Sequence, residues 1–221
     1  MLTVCVNQLV VEARLLAGGY RCPVCGGVLR PWGWARFRVV WDGFAGRGVS
    51  RARFAPRRAR CSACGATHVL LPVLFFSRRA DSARVIARAV EWRAAGLGWR
   101  RIASRLARPP TTVRRWLKAA GTAAEAGAGV LLAAAFEVAP DPAAVSPRPA
   151  GSPLGGLVAV LSALAAAVGA RWRRPAGSWQ SAGAAACRSR LLQASWWAGE
   201  AQHELALMPA WWSETGLAPG L

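Results

Sequence analysis

Two short cysteine pairs, Cys22-Pro-Val-Cys25 and Cys61-Ser-Ala-Cys64, constrain this 221-residue chain more than any other feature. Two residues between cysteines allow a tight turn to aim both sulfurs at one ion, and two such turns complete a closed, tetrahedral four-thiolate site. Each pair is followed by glycine, Gly26-Gly27 and Gly65, which lets backbone amides approach the sulfurs without a Cβ in the way. Cys22, Cys25, Cys61 and Cys64 are therefore the expected ligands of one structural Zn²⁺. A closed site leaves no position for a reacting water, so the metal is expected to hold the fold rather than catalyse. His68 follows the second pair but is surplus to four thiolates, and Cys5 reads as packing.

The 35 residues between the pairs exceed the usual ribbon spacing of about 15–20 and must form an insert. Trp34 to Trp41 and Val49 to Phe54 read as two strand arms around a loop containing Asp42, Gly43, Gly46 and Gly48. Arg36, Arg38, Arg51 and Arg53, set against Phe37 and Phe54, predict a hairpin with one basic face and one packed face.

Charge is distributed unevenly. The net charge is +19, and between Tyr20 and Ala120 there are 22 basic residues against Asp42, Asp81 and Glu91. Outside that window seven arginines meet seven acids, so the whole excess lies in the middle of the chain. Such a block attracts phosphate and predicts salt-sensitive nucleic-acid binding; the alternative is a solvated basic surface without a polyanionic partner.

Helical signals follow. Asp81 or Ser82 is placed to cap a helix through Val85, Ile86, Ala89 and Val90 to about Ala95, where Gly96 and Gly98 end it. From Trp99 to Lys118 two further helices are expected around a proline turn. Ile102, Ala103 and Leu106 form the apolar face of the first, and Val113, Trp116, Leu117 and Ala120 that of the second. Arg100, Arg101, Thr111, Thr112, Arg114, Arg115 and Lys118 are left facing outward, where phosphates and base edges would lie. A plain helical hairpin would show the same periodicity.

Ile102-Ala103-x-x-Leu106 followed by Thr112-Val113-x-Arg115-x-Leu117 resembles the helix-turn-helix of resolvase, transposase and repressor families. From Cys22 to Ala120 the chain resembles an uncharacterised bacterial family that pairs a zinc ribbon with such a domain, and it is similar in layout to the N-terminal regions of insertion-sequence transposases. Arg108 and Pro109 depart from that pattern, standing where it has an apolar residue and a capping Ser or Thr.

Beyond Gly121 the chain turns alanine-rich. A helix is expected over 121–139, a proline-rich linker over 140–153 and a helical region over 154–221. The uncharged run from Leu154 to Ala170 is short for a membrane span of about 20 apolar residues and reads as a buried helix. Trp172, Trp179, Trp196, Trp197, Trp211 and Trp212 read as core anchors or an interface, while His203 and Glu204 are too isolated for a metal site.

The expected fold is mainly α with a small β zinc ribbon: a lead segment over 1–19, the ribbon with its basic hairpin over 20–76, a three-helix helix-turn-helix domain over 77–120, and the alanine-rich helical C-terminal region. The expected function is that of a cytoplasmic, nucleoid-associated protein that binds double-stranded DNA, a transcriptional regulator or mobile-element accessory factor rather than an enzyme. The alternatives are a transposase- or recombinase-type protein without its own catalytic domain, and a scaffold whose C-terminal helices bind a second copy or a partner transposase. No small-molecule substrate is expected.

Overall fold

The computed structural model describes residues 1–43, 50–173, 178–187 and 190–192. A four-stranded sheet at one end meets a stack of helices at the other, and the buried apolar side chains form one contiguous core from Leu2 to Leu192. The N-terminal lead contributes a strand and a helix, β1 (Leu2–Val4) and α1 (Gln8–Leu16). Asn7 caps α1 by accepting hydrogen bonds from the Leu9 and Val10 amides, and Gly18, at φ 71°, takes the chain out of it.

The strands β2 (Leu29–Trp34), β5 (Arg57–Cys61) and β6 (Thr67–Pro72) follow the two cysteine turns or lead into them, and the sheet order is β1-β6-β5-β2. β1 runs parallel to β6, pairing Leu2 with Leu70, so the lead segment is part of this sheet. Antiparallel pairing of β2 with β5 sets Leu29 opposite Cys61. This register is how a long insert is accommodated: the chain leaves along β2, returns along β5, and brings its second cysteine turn back beside the first.

The insert folds into the expected hairpin, β3 (Arg38–Asp42) with β4 (Ser50–Phe54), but Trp34, expected to open its first arm, ends β2 instead; the glycines at 46 and 48 lie outside the described residues. Its faces differ from expectation. Register pairs Val39 with Arg53 and Trp41 with Arg51, but Arg38 with Phe54, so Arg51 and Arg53 share one face while Arg38 is on the other. Phe37 is not packed; it is 70% exposed.

Three helices come next: α2 (Ala83–Ala94), α3 (Trp99–Leu106) and α4 (Pro110–Val138). Ser82 caps α2, and its hydroxyl accepts from the Val85 amide. Ala107, in the left-handed region at φ 53°, ends α3, and Pro110 opens α4, where a missing amide costs nothing. The expected break near residue 121 is absent: Gly121 has open space around it and lies inside a continuous 29-residue helix, about 44 Å long at 1.5 Å per residue.

The proline-rich segment is a packed strap rather than a free linker. A 3₁₀ turn at Pro142–Ala144 follows Ala139, and the chain then runs back along the next helix, α5 (Pro153–Arg171). Ala139 and Asp141 lie near Ala167 and Ala170, whereas Pro149 and Ala150 lie near Gly155 and Val158, so α4 and α5 run in the same direction. Val145 packs against the core. By length and composition α4 and α5 are each apolar enough to cross a membrane, but they bury their faces on each other, on α2 and, for α5, on α6 (Trp179–Ala186), a packing compatible with a soluble protein. Trp172 and Trp179 lie partly buried against this core, and the Trp179 indole donates to Glu91 at 2.8 Å; Trp196, Trp197, His203, Glu204, Trp211 and Trp212 lie outside the described residues.

One ion pair joins these parts. Arg108, in the α3–α4 turn, meets Asp81 at 2.5 Å, with only 7% and 9% of their side chains exposed. The Arg108 guanidinium also donates to the Leu106, Ala107 and Gly43 carbonyls and lies over the Trp41 ring. Trp41 in turn donates its amide to Ala80 and accepts from the Ser82 amide, and Asp42 accepts from the Ser82 hydroxyl and pairs with Arg84. Removing one partner of such a pair strands a buried charge, so Arg108→Ala is expected to cost about 3–5 kcal/mol of unfolding free energy, measured by denaturant titration. A double replacement, Asp81→Leu with Arg108→Met, is expected to recover most of that loss.

Candidate metal centre and cationic surface

The two cysteine turns are built alike. Cys22 donates its amide to Gly27 and accepts from Gly26, and Cys61 donates to Ala66 and accepts from Gly65. Gly26 and Gly65 both adopt φ 72°, a left-handed conformation that suits glycine. Gly27 is needed for space, because a Cβ there would stand 2.9 Å from the Cys61 sulfur and 2.8 Å from the Ala63 Cβ.

All four sulfurs lie within 4.8 Å of one another, with Cys22 to Cys64 at 3.7 Å and Cys25 to Cys61 at 3.5 Å. Four ligands held tetrahedrally at about 2.3 Å from one ion would be about 3.8 Å apart, so the cluster is arranged to hold a metal ion. The amides of Cys64 and Ala63 point at the Cys61 sulfur and help to pull its pKa down to about 6. Cys25 has the Gly27 amide to favour its thiolate, but it shares protons with Cys64, Cys61 and Cys22 and is pushed up to about 12. Closely set sulfurs resist carrying several negative charges without a cation between them.

His68 is buried beside the cluster without belonging to it. Its Nε2 lies 3.3 Å from the Cys22 sulfur and its Nδ1 3.4 Å from the Met1 amino group. Burial, and then that ammonium, lower its pKa. Neutral His68 is placed to orient Cys22 in the way outer-shell groups orient ligands. Cys5 packs in the core, its thiol within reach of the Asn7 carbonyl, and burial pushes its pKa up.

The expected cationic residues fall into two groups. On α3 and the first turns of α4, Arg100, Arg101, Thr111, Arg114, Arg115 and Lys118 are exposed, while Thr112 is partly covered. Arg100 lies over the Trp99 ring. Among the described residues none of these cations has a carboxylate within salt-bridge distance, whereas Arg57, Arg84, Arg88 and Arg108 do. The second group is on the hairpin: Arg51 over Trp41, Arg53 over Phe37, Arg38 on the opposite face and Arg36 exposed ahead of β3.

Between the groups lies a cleft of about 450 Å³ that the sequence reading missed. Trp41, Arg78, Arg79, Thr112 and the paired Asp81 and Arg108 line it at the start of α4. Arg79 donates through Nη2 to the Leu192 carbonyl, while its buried Nε has no partner among the described residues. The signal was present in Arg78-Arg79 directly before the α2 cap, but nothing in a linear reading sets that pair beside Thr112.

Titration with Co²⁺ is expected to give one tetrahedral thiolate-bound ion per chain, with protons released and affinity falling as pH drops, because thiols must ionise to bind. Gly27→Ala should weaken that affinity about 10–100-fold, the range found when outer-shell support is lost. The chain matches no protein-family model, no curated protein and no solved structure.

Proposed function

We propose that this protein binds double-stranded DNA through the outward face of α3 and the first turns of α4, and that a structural Zn²⁺ in the four-cysteine cluster stabilises the sheet behind it. The observation that carries this reading is the cationic surface of Arg101, Arg114, Arg115 and Lys118, without carboxylate partners among the described residues, in a chain whose whole charge excess falls within residues 20–120. Thr111, Arg114, Arg115 and Lys118 recur at helical spacing on one side of α4. In this reading α2, α3 and α4 are a helix-turn-helix unit, with the start of α4 in the major groove.

Arg78 and Arg79, in the cleft at the start of α4, would hold a backbone phosphate there, favoured by the positive end of the helix. Arg51 and Arg53 would add phosphate contacts from the hairpin. Zinc suits the donor set because four thiolates in a closed tetrahedron leave it no reactive position. The role is that of a regulator or mobile-element accessory factor in the cytoplasm, one that positions DNA rather than cutting it.

Duplex affinity is expected to fall steeply between about 50 and about 200 mM salt, by roughly 10³–10⁵-fold for six to ten phosphate contacts. An affinity that holds steady over this range would overturn the reading. With sequences selected from a random duplex pool, Arg114→Ala or Arg115→Ala should lose about 1–3 kcal/mol of discrimination at one base pair if that side chain reads guanine. Lys118→Ala should weaken all sequences alike and lower the salt slope by about one.

A further inference from the structure

The end of β2 and the start of the hairpin carry an arrangement that phosphate binding leaves unexplained. Trp34 is 54% exposed and Phe37 70%, open aromatic rings beyond what a solvated surface needs, while Trp32, 49% exposed, lies with Arg60 on the opposite face of the sheet. Each has a guanidinium over it: Arg60 over Trp32 at 4.6 Å, Arg57 over Trp34 at 4.9 Å and Arg53 over Phe37 at 5.3 Å. Two of these cations are held by other groups as well, Arg57 by Glu12 and the Gly33 carbonyl, and Arg60 by the Gly65 carbonyl. The Trp34–Arg57 pair at the groove's edge is therefore set in place before any ligand arrives, which lowers the cost of ordering it on binding.

Trp34, Phe37 and Arg53 also border an open groove of about 710 Å³, and Phe54 and Phe75 lie in it with ring centroids 4.9 Å apart. Among the described residues no carboxylate lines the groove. Flat rings alternating with cations match the chemistry of a strand whose flat bases alternate with phosphates. Bases inside a duplex are stacked on their neighbours and cannot offer their faces to these rings.

We propose that this groove binds an unpaired nucleic-acid strand, its bases stacking on Trp34 and Phe37 and its phosphates meeting Arg53 and the neighbouring arginines. The site shares Arg53 with the hairpin contacts proposed for duplex, but it is separate from the face of α3 and α4 and does not depend on that face binding duplex. Phe37 and Phe54 are at one end of the hairpin, and Trp41, which meets the helix turn, is at the other, about 13 Å away along β3.

The test uses the full zinc-loaded chain and the fluorescence anisotropy of a labelled 15-nucleotide oligothymidine, with a blunt 15-base-pair duplex run in parallel. Trp34→Ala with Phe37→Ala is expected to weaken oligothymidine binding at least tenfold and duplex binding less than twofold. Trp34→Phe should keep most of the strand binding, because a ring remains. Repeating the pair against oligouridine tells a DNA strand from an RNA strand, with the same loss expected for whichever binds. The proposal is overturned if the alanine pair leaves strand binding intact or weakens strand and duplex equally. It is equally overturned if Trp34→Leu with Phe37→Leu binds the strand as well as the native chain, since the groove would then be a plain apolar contact. Failure of the duplex arm alone, with Arg114→Ala and Arg115→Ala silent there, would count against the α4 reading and leave this one standing.

Discussion

The buried pair between Arg108 and Asp81 is the contact on which the relation between the two ends of the molecule depends. A charge pair of this kind is held by its geometry and by the hydrogen bonds that satisfy its remaining donors, rather than by Coulomb attraction alone. Arg108 meets both conditions, with three carbonyls and the Trp41 ring around its guanidinium. Because Asp81 precedes the α2 cap and Trp41 belongs to the hairpin, one side chain ties together the segment before α2, the α3–α4 turn and the insert between the cysteine turns. The hairpin is thus fastened to the helices while being, in sequence, a loop of the cysteine module.

The cysteine cluster is a second constraint, acting at the opposite edge of the insert. β2 and β5 pair only if the two cysteine turns meet, and the turns meet with Gly27 pressed against Cys61 and Ala63. A metal at this point would close the loop that contains the entire hairpin, and the cost of closing a long loop grows only slowly with its length. This is why an insert of 35 residues can be carried between the two turns, provided that its own strands pair and that it finds a surface on which to dock.

Much of the architecture was legible because it rests on local patterns. The cysteine spacing, the Ser82 cap and the apolar positions Ile102, Leu106, Val113 and Trp116 act over a few residues, and the structure puts each where the pattern requires. What was not legible depends on register and tertiary packing. One-residue alternation alone did not show that Arg38 pairs with Phe54 while Arg51 pairs with Trp41. Nor did an alanine-rich stretch with a glycine at 121 announce a continuous helix; the packing of Ala120, Ala123 and Ala124 in the core offsets the glycine's weak preference. Arg108 was the plainest case: a departure from the helix-turn-helix pattern in sequence, it is in space the side chain that fixes the turn.

The continuity of α4 has a mechanical consequence. A helix advances about 100° per residue, so the rotational phase of its first turns is locked to that of its last. Leu131, Ala135 and Val138 are buried among the packed helices, and Arg114, Arg115 and Lys118 point to solvent about four to seven turns earlier on the same rod. Whatever holds the far end in rotation therefore also sets the direction in which the cations point. A single-residue insertion near Gly121 would turn one end against the other by more than a quarter of a circle, whereas a loop at the same place would have absorbed it.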